Sequence, residues 1–229
     1  MIVFLSFIPL KECLPLRTPL TLPALKQHLT YNWWKYLLLA LLSFGLIDLL
    51  YSMTQYRPPK EKKIEFYVYG IINEEPLTEY LDQIRADEMS DMEVLSPQMM
   101  TPDESYGPMQ LMTYLTAGEG DVYLLPRDQF VSYASSGALV PLEDDGELIS
   151  FFDENGVSLQ SGWRKNAETG ETHLYGIPQV KLPGLYQYAV AQDGFLCLIV
   201  TGGNIENGRK FLRILSRDMI TAPEESAGP

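Results

Sequence analysis

The chain has 229 residues, 46% of them apolar, and its 30 acidic and 17 basic side chains give a net charge of −13. The acid is concentrated in residues 64–229, where 27 Asp or Glu face 9 Lys or Arg for a net charge of −18, which argues against nucleic acid or anionic lipid as partners. Two cysteines, Cys13 and Cys197, and two histidines, His28 and His173, provide no disulfide framework and no zinc-ligand spacing.

Residues 1–32 read as a poorly ordered cytoplasmic leader whose first ten, mostly apolar residues are too few to span a bilayer. Cys13 lacks the small preceding residues of a lipidated cysteine. The stretch Trp33–Met53 follows. Its 21 residues at about 1.5 Å each give roughly 31 Å of helix, close to the hydrocarbon thickness of a membrane. Between Leu37 and Leu50, ten side chains are Leu, Ile or Phe and one, Asp48, is charged. The ten favour insertion by about 3–6 kcal/mol and one Asp costs at most about 3 kcal/mol. Tyr31, Trp33, Trp34 and Tyr36 crowd one end and Tyr51 and Tyr56 the other, as interfacial aromatics do. A buried core helix would show a polar face, and between Leu37 and Leu50 only Ser43 and Asp48 are polar; a signal peptide would have a small-residue cleavage site, which YSMTQYRPP does not offer. A retained single span is expected. Lys11, Arg17, Lys26 and Lys35 precede it and Arg57, Lys60, Lys62 and Lys63 follow it, so basic residues do not orient it. Translocation of a long acidic domain is little affected by charge, which favours an extracytoplasmic C-terminal part.

Residues 54–63, with Pro58, Pro59 and four basic residues, form a charged stalk. IEFYVYG, Ile64 to Gly70, predicts a buried strand. Pro76 suits a first helical turn, and Leu77, Tyr80, Leu81 and Ile84 recur at helical spacing. A short strand over Met92–Ser96 and a loop rich in Pro and Met come next. Tyr106–Ala117 predicts a helix burying Met109, Met112 and Leu115 and stopping near Gly118. Asp121–Pro126 predicts a third strand, and Asp128 is expected to cap a helix closing at Gly137. Strands alternating with helices through short loops imply an α/β fold with a mainly parallel sheet and flanking helices over residues 64–217, followed by a disordered tail, 218–229.

Within that domain, AGEGDVYLLPRDQFVSYASSGALVPLED, Ala117 to Asp144, resembles the first lobe of extracellular solute-binding proteins of ABC importers, with Gly137, Leu139, Pro141 and Leu142 matching a Gly-x-Leu-x-Pro-Leu turn. Tyr175–Pro178 resembles the family's Gly-Ile-Pro crossing segment, and Cys197–Leu215, with Asn207, is similar to its closing strand and helix. The resemblance implies a periplasmic-binding-protein-like lobe. Only the residues from Gln179 to Phe195 separate Gly-Ile-Pro from the closing strand, so no second lobe fits, and KLPGLYQYAVAQDG reads as a hairpin-like excursion. Closure of two lobes over a ligand would need a partner subunit or a homodimer.

The residues carry little catalytic chemistry, and no enzyme, cofactor or metal is expected. His173 reads as a surface strand residue. The acidic run Glu143–Glu147 lacks the spacing of a calcium loop and reads as a solvated turn. Gly202-Gly203 reads as the turn into a helix at Ile205, and the tyrosines Tyr67, Tyr69, Tyr123, Tyr175, Tyr186 and Tyr188 as packing residues. Ligands of open α/β sheets collect at the carboxyl ends of strands, which here are Gly70 and Ile71, Pro126 and Arg127, and Gly176 to Pro178. Arg127 begins a helix in an acidic domain and suits an anion, or pairs with a neighbouring carboxylate. The expectation is a non-enzymatic, membrane-anchored extracytoplasmic domain with a protein partner at the membrane surface. A small-molecule binder completed by homodimerisation and a surface hydrolase are the alternatives.

Overall fold

A computed structural model describes residues 22–56, 58–103 and 105–222, so Cys13, His28's side chain and the end of the acidic tail lie outside what is described. The chain separates into two compact units, Met1–Arg57 and Pro58–Pro229.

In the first unit, helix α1 runs from Leu22 to Thr54, starting eleven residues before the predicted span, and its backbone leaves helical geometry once, at Asn32 (φ −114°, ψ 15°). The 23-residue segment Asn32–Thr54 is long and apolar enough to cross a membrane, a property that signal sequences share, and none of it is buried. Leu41, Phe44 and Ile47 are exposed, as are Trp33, Trp34 and Tyr51 at its two ends.

The second unit contains, in chain order, β1 (Lys63–Tyr69), β2 (Ile71–Ile72), α2 (Glu74–Asp87), β3 (Val94–Met100), α3 (Gly107–Ala117), β4 (Val122–Leu125), α4 (Arg127–Ser135), α5 (Gly146–Glu154), β5 (Trp163–Lys165), β6 (Thr172–Leu174), β7 (Ile177–Pro178), β8 (Ala189–Val190), β9 (Phe195–Leu198) and α6 (Ile205–Met219). Five strands form the central sheet in the order β3-β1-β4-β9-β7. β1 pairs in parallel with β3 and β4, whereas β9 is antiparallel to both β4 and β7. Four strands therefore point one way and β9 the other, making the sheet mixed in its pairings.

Alternation along the strands builds two cores. Ile64, Phe66 and Val68 of β1, with Val122 and Leu124 of β4, pack in one cluster against α2 (Leu77, Leu81, Ile84), α5 (Leu148, Phe152) and α6 (Phe211, Leu212, Leu215). Tyr67 and Tyr69, with Tyr123 and Leu125, pack in the other against α3 (Leu111, Leu115) and α4 (Phe130, Ala134). The tyrosines are packing residues as expected where they sit in β1 and β4: Tyr67 stacks on Tyr123 at 5.0 Å, and Tyr123 donates its hydroxyl to the Glu119 carbonyl at 2.6 Å. Tyr186 differs and is exposed.

Several local expectations change. The strand predicted over Met92–Ser96 starts at Val94 and runs through Pro97 to Met100, because it is an edge strand, where a residue without an N–H is tolerated. α3 buries Leu111 and Leu115, leaving Met109 and Met112 exposed. Asp128 does not cap α4; Pro126 occupies the cap position and Asp128 lies in the first turn. The Lys60–Lys62 segment forms a 3-10 turn within the second unit, with the Lys60 ammonium donating to the Gly118 carbonyl at 2.9 Å. Residues 179–187 form two 3-10 turns rather than a hairpin, and α6 continues two residues beyond the predicted end of the domain, burying Met219.

The acidic run Glu143–Glu147 is solvated only in part: Asp144 and Glu147 are exposed, whereas Glu143 and Asp145 hold the fold together. Asp145 caps α5 by accepting from the Leu148 N–H at 3.1 Å and also takes the Arg213 guanidinium at 3.2 Å. Glu143 accepts from the Leu174 N–H at 3.0 Å and is hydrogen-bonded to Nδ1 of His173, whose Nε2 lies 3.4 Å from Glu171. His173 does sit in a strand, β6. The hydrogen bond to Glu143 raises its imidazole above the ordinary value of 6.5. A group raised in the folded state contributes stability that is complete below the unfolded value and lost as pH climbs through the folded one. Thermal melts at constant ionic strength are therefore expected to show a decline in Tm above pH 6.5 that flattens in His173→Gln; an unchanged pH profile in that variant would contradict the pairing.

Candidate functional site

β1 and β4 are adjacent and parallel, so their carboxyl ends open side by side at one edge of the sheet. The chain leaves β1 through Gly70 into β2, which pairs antiparallel with β8 in the register Ile71↔Val190. It leaves β4 through Pro126 into α4. Between these exits lies an open groove of about 610 Å³ lined by Tyr69, Gly70, Ile71, Pro102, Pro108, Pro126, Asp128, Gln129, Val190 and Gln192.

Each wall has a local cause. A Cβ on Gly70 would stand 2.1 Å from the Val190 carbonyl oxygen, so only glycine allows the two backbones to approach this closely. The β8 wall is held from inside by Gln179, which is fully buried: its Nε2 donates to the Ala189 carbonyl at 2.6 Å and its Oε1 accepts from the Ala191 N–H at 3.1 Å. These two bonds satisfy a buried amide and fix the segment on either side of Val190. The Arg127 N–H donates to the Gln192 carbonyl at 3.3 Å, tying the start of α4 to the same wall. Ile71 (68% exposed) and Val190 (42% exposed) give the groove an apolar lip. The Tyr69 phenol is pushed up by its burial and by the charge of Asp103, so it stays protonated across ordinary pH.

Of the residues singled out in the sequence, the structure brings together Gly70, Ile71 and Pro126 in the groove, with Arg127 exposed beside it. Gly176 and Pro178 are elsewhere: both are buried, and a Cβ on Gly176 would meet the Phe130 ring at 2.7 Å. Gly176 thus serves the packing of β7 against α4. Among the described residues no carboxylate stands within salt-bridge distance of Arg127, whereas Arg85, Arg213 and Arg217 each have one. Val190 and Gln192 had no signal in the sequence, because their place depends on the pairing of β2 with β8. Among the described residues no group of three His, Cys, Asp or Glu side chains is placed to hold a metal ion. Cys197 is buried against the Tyr123 carbonyl, and burial pushes its thiol up and away from the reactive thiolate.

No family model matches this chain, and no curated protein matches it. Solved structures of extracellular solute-binding proteins do. An extracellular solute-binding protein family 1 member from Alicyclobacillus acidocaldarius subsp. acidocaldarius DSM 446 is 18% identical over 54% of this chain and 29% of its own, with a TM-score of 0.38. The N-glycan transport solute binding protein NgtS from Streptococcus pneumoniae is 17% identical over 51% of this chain and 24% of its own, with a TM-score of 0.37. Its complex with Man1GlcNAc is 15% identical over the same shares, with a TM-score of 0.36. The chain thus spans less than a third of the length of these proteins, and the likeness is to the fold of part of a solute-binding lobe: a mixed sheet with flanking helices.

Proposed function

We propose that this chain is a membrane-anchored, non-catalytic binding domain that faces away from the cytoplasm and receives its partner in the groove at the carboxyl ends of β1 and β4. The observation that carries the reading is the groove itself: about 610 Å³ of open space where two parallel strands end, with an apolar lip at Ile71 and Val190. That is where open α/β sheets present ligand surfaces. A small molecule is ordinarily enclosed over most of its surface, whereas this groove belongs to a unit with one central sheet and is open on one side. A protein segment at the membrane surface fits an open, apolar-lipped groove better than a solute does. Asn32–Thr54 supplies the anchor.

The test places a photo-crosslinking residue at Gln129 of the full chain in native membranes and measures adduct yield with and without Ile71→Arg. Ile71→Arg should reduce the adduct about tenfold or more, equivalent to about 1.4 kcal/mol of lost affinity. Gln83→Arg, on the exposed face of α2, should leave it unchanged. Equal yields from the Ile71→Arg variant and the parent would overturn the reading, and an adduct of twice the chain's mass would move it to a homodimer.

A further inference from the structure

A second feature adjoins the groove. α4 begins at Arg127, and Phe130, three residues on, shares that side of the helix. The Phe130 ring stacks on Phe195 of β9 with centroids 4.2 Å apart and planes 6° from parallel. Over these two rings lies the guanidinium of Arg164 from β5, 5.4 Å from the centroid of Phe130 and 5.8 Å from that of Phe195. One edge of that guanidinium is fixed by the bond from Nη1 to the Trp163 carbonyl at 2.6 Å. β5 packs on α4, which brings Arg164 within electrostatic range of Arg127.

Arg127, which begins α4, and Arg164, which lies over a ring of the same helix, therefore stand on packed elements in a part of the chain with a net charge of −18 and only nine basic residues. Like charges repel, and abundant acid would ordinarily separate and neutralise them. Of the other four arginines of the domain three are met by acid, with Arg85 3.3 Å from Asp82, Arg213 3.0 Å from Glu147 and Arg217 2.9 Å from Asp218, while Arg209 donates instead to the Pro141 carbonyl at 2.9 Å. Among the described residues neither Arg127 nor Arg164 has a carboxylate at such a distance. Asp128 is the nearest acid in sequence, and it lines the groove.

We infer that Arg127 and Arg164, on the Phe130–Phe195 platform, form a binding site for a small oxyanion group, a phosphate or a carboxylate. The planar forks of two arginines match such a group, and the rings under Arg164 hold one of them in place without neutralising it. The site extends the groove reading by giving a charge to what binds beside it, but it does not depend on that reading.

The test is thermal unfolding of the full chain in a neutral detergent, with chloride replaced at constant ionic strength by phosphate in one arm and acetate in the other. At ten times its dissociation constant the bound anion should raise Tm by about 3–5 °C. Arg127→Gln and Arg164→Gln should each abolish that increment, and in chloride alone Arg127→Gln should melt no lower than the parent, because a repulsion has been removed. Ile71→Arg should keep the full increment, which separates failure of this site from failure of the groove. A larger increment in phosphate than in acetate assigns phosphate, and the reverse assigns carboxylate. If neither anion raises Tm, or if Arg127→Gln responds like the parent, the inference is overturned. Arg127 is exposed, so its variant carries the test even if Arg164→Gln does not fold.

Discussion

Leu42→Lys combined with Leu46→Lys is expected to release the chain from the membrane fraction. Both side chains are exposed in the middle of the Asn32–Thr54 helix. Each substitution removes a contribution of about 0.3–0.6 kcal/mol favouring insertion and adds a cost of about 2.5–3.5 kcal/mol, so the pair shifts the balance by about 6–8 kcal/mol. That exceeds everything the ten large apolar residues between Leu37 and Leu50 contribute. Carbonate extraction should move the variant from pellet to supernatant, while Leu42→Ala with Leu46→Ala should stay in the pellet. Intact-mass measurement of the parent distinguishes an anchor from a cleaved signal: the retained anchor predicts the mass of the uncleaved span. Resistance of the lysine pair to extraction would remove the span from the functional reading.

Phe66→Ala should cost the second unit a large part of its stability. Phe66 is 1% exposed in β1, the strand flanked by both β3 and β4, and its ring lies 6.0 Å from that of Phe211 in α6. It joins the first strand of the domain to its last helix. Truncating a buried phenylalanine costs about 3–5 kcal/mol, a large share of the roughly 5–15 kcal/mol that holds a domain together. At about 2–4 °C per kcal/mol, Tm should fall by about 6–20 °C. Phe66→Leu should fall by much less, since it keeps most of the volume. Urea unfolding of the parent and both variants measures this, and a loss below about 1 kcal/mol for the alanine would mean that β1 and α6 do not share one core.

What could be read in the sequence was set by local pattern. The existence of β1, α2, α3, β4 and α4 was legible from their periodicity and from stops such as Gly118 after α3 and Gly137 after α4, both of which adopt positive φ. The face of α3 was misread because methionine and leucine are equally apolar in a pattern, and only the sheet beneath decides that Leu111 and Leu115 turn inward. The reversal of β9 depends on long-range pairing that no local spacing encodes. The groove was half legible for the same reason. Gly70, Ile71, Pro126 and Arg127 follow strands that the pattern reveals, while Val190, Gln192 and the Arg164 beside Arg127 arrive from distant segments. Likewise, Glu143 and Asp145 looked like solvent-facing acid until His173 and Arg213 came to meet them.

Pro97 has a consequence for how these molecules behave in a crowd. β3 is the outer strand on its side of the sheet, and its free flank would be a template for a strand from another copy. With Pro97 at the middle of its seven residues, the row of donors that such a strand would need is broken at its centre. The sheet is thereby protected against growing sideways. For a domain anchored as proposed, that is a useful property, because copies confined to two dimensions meet one another far more often than they would in solution.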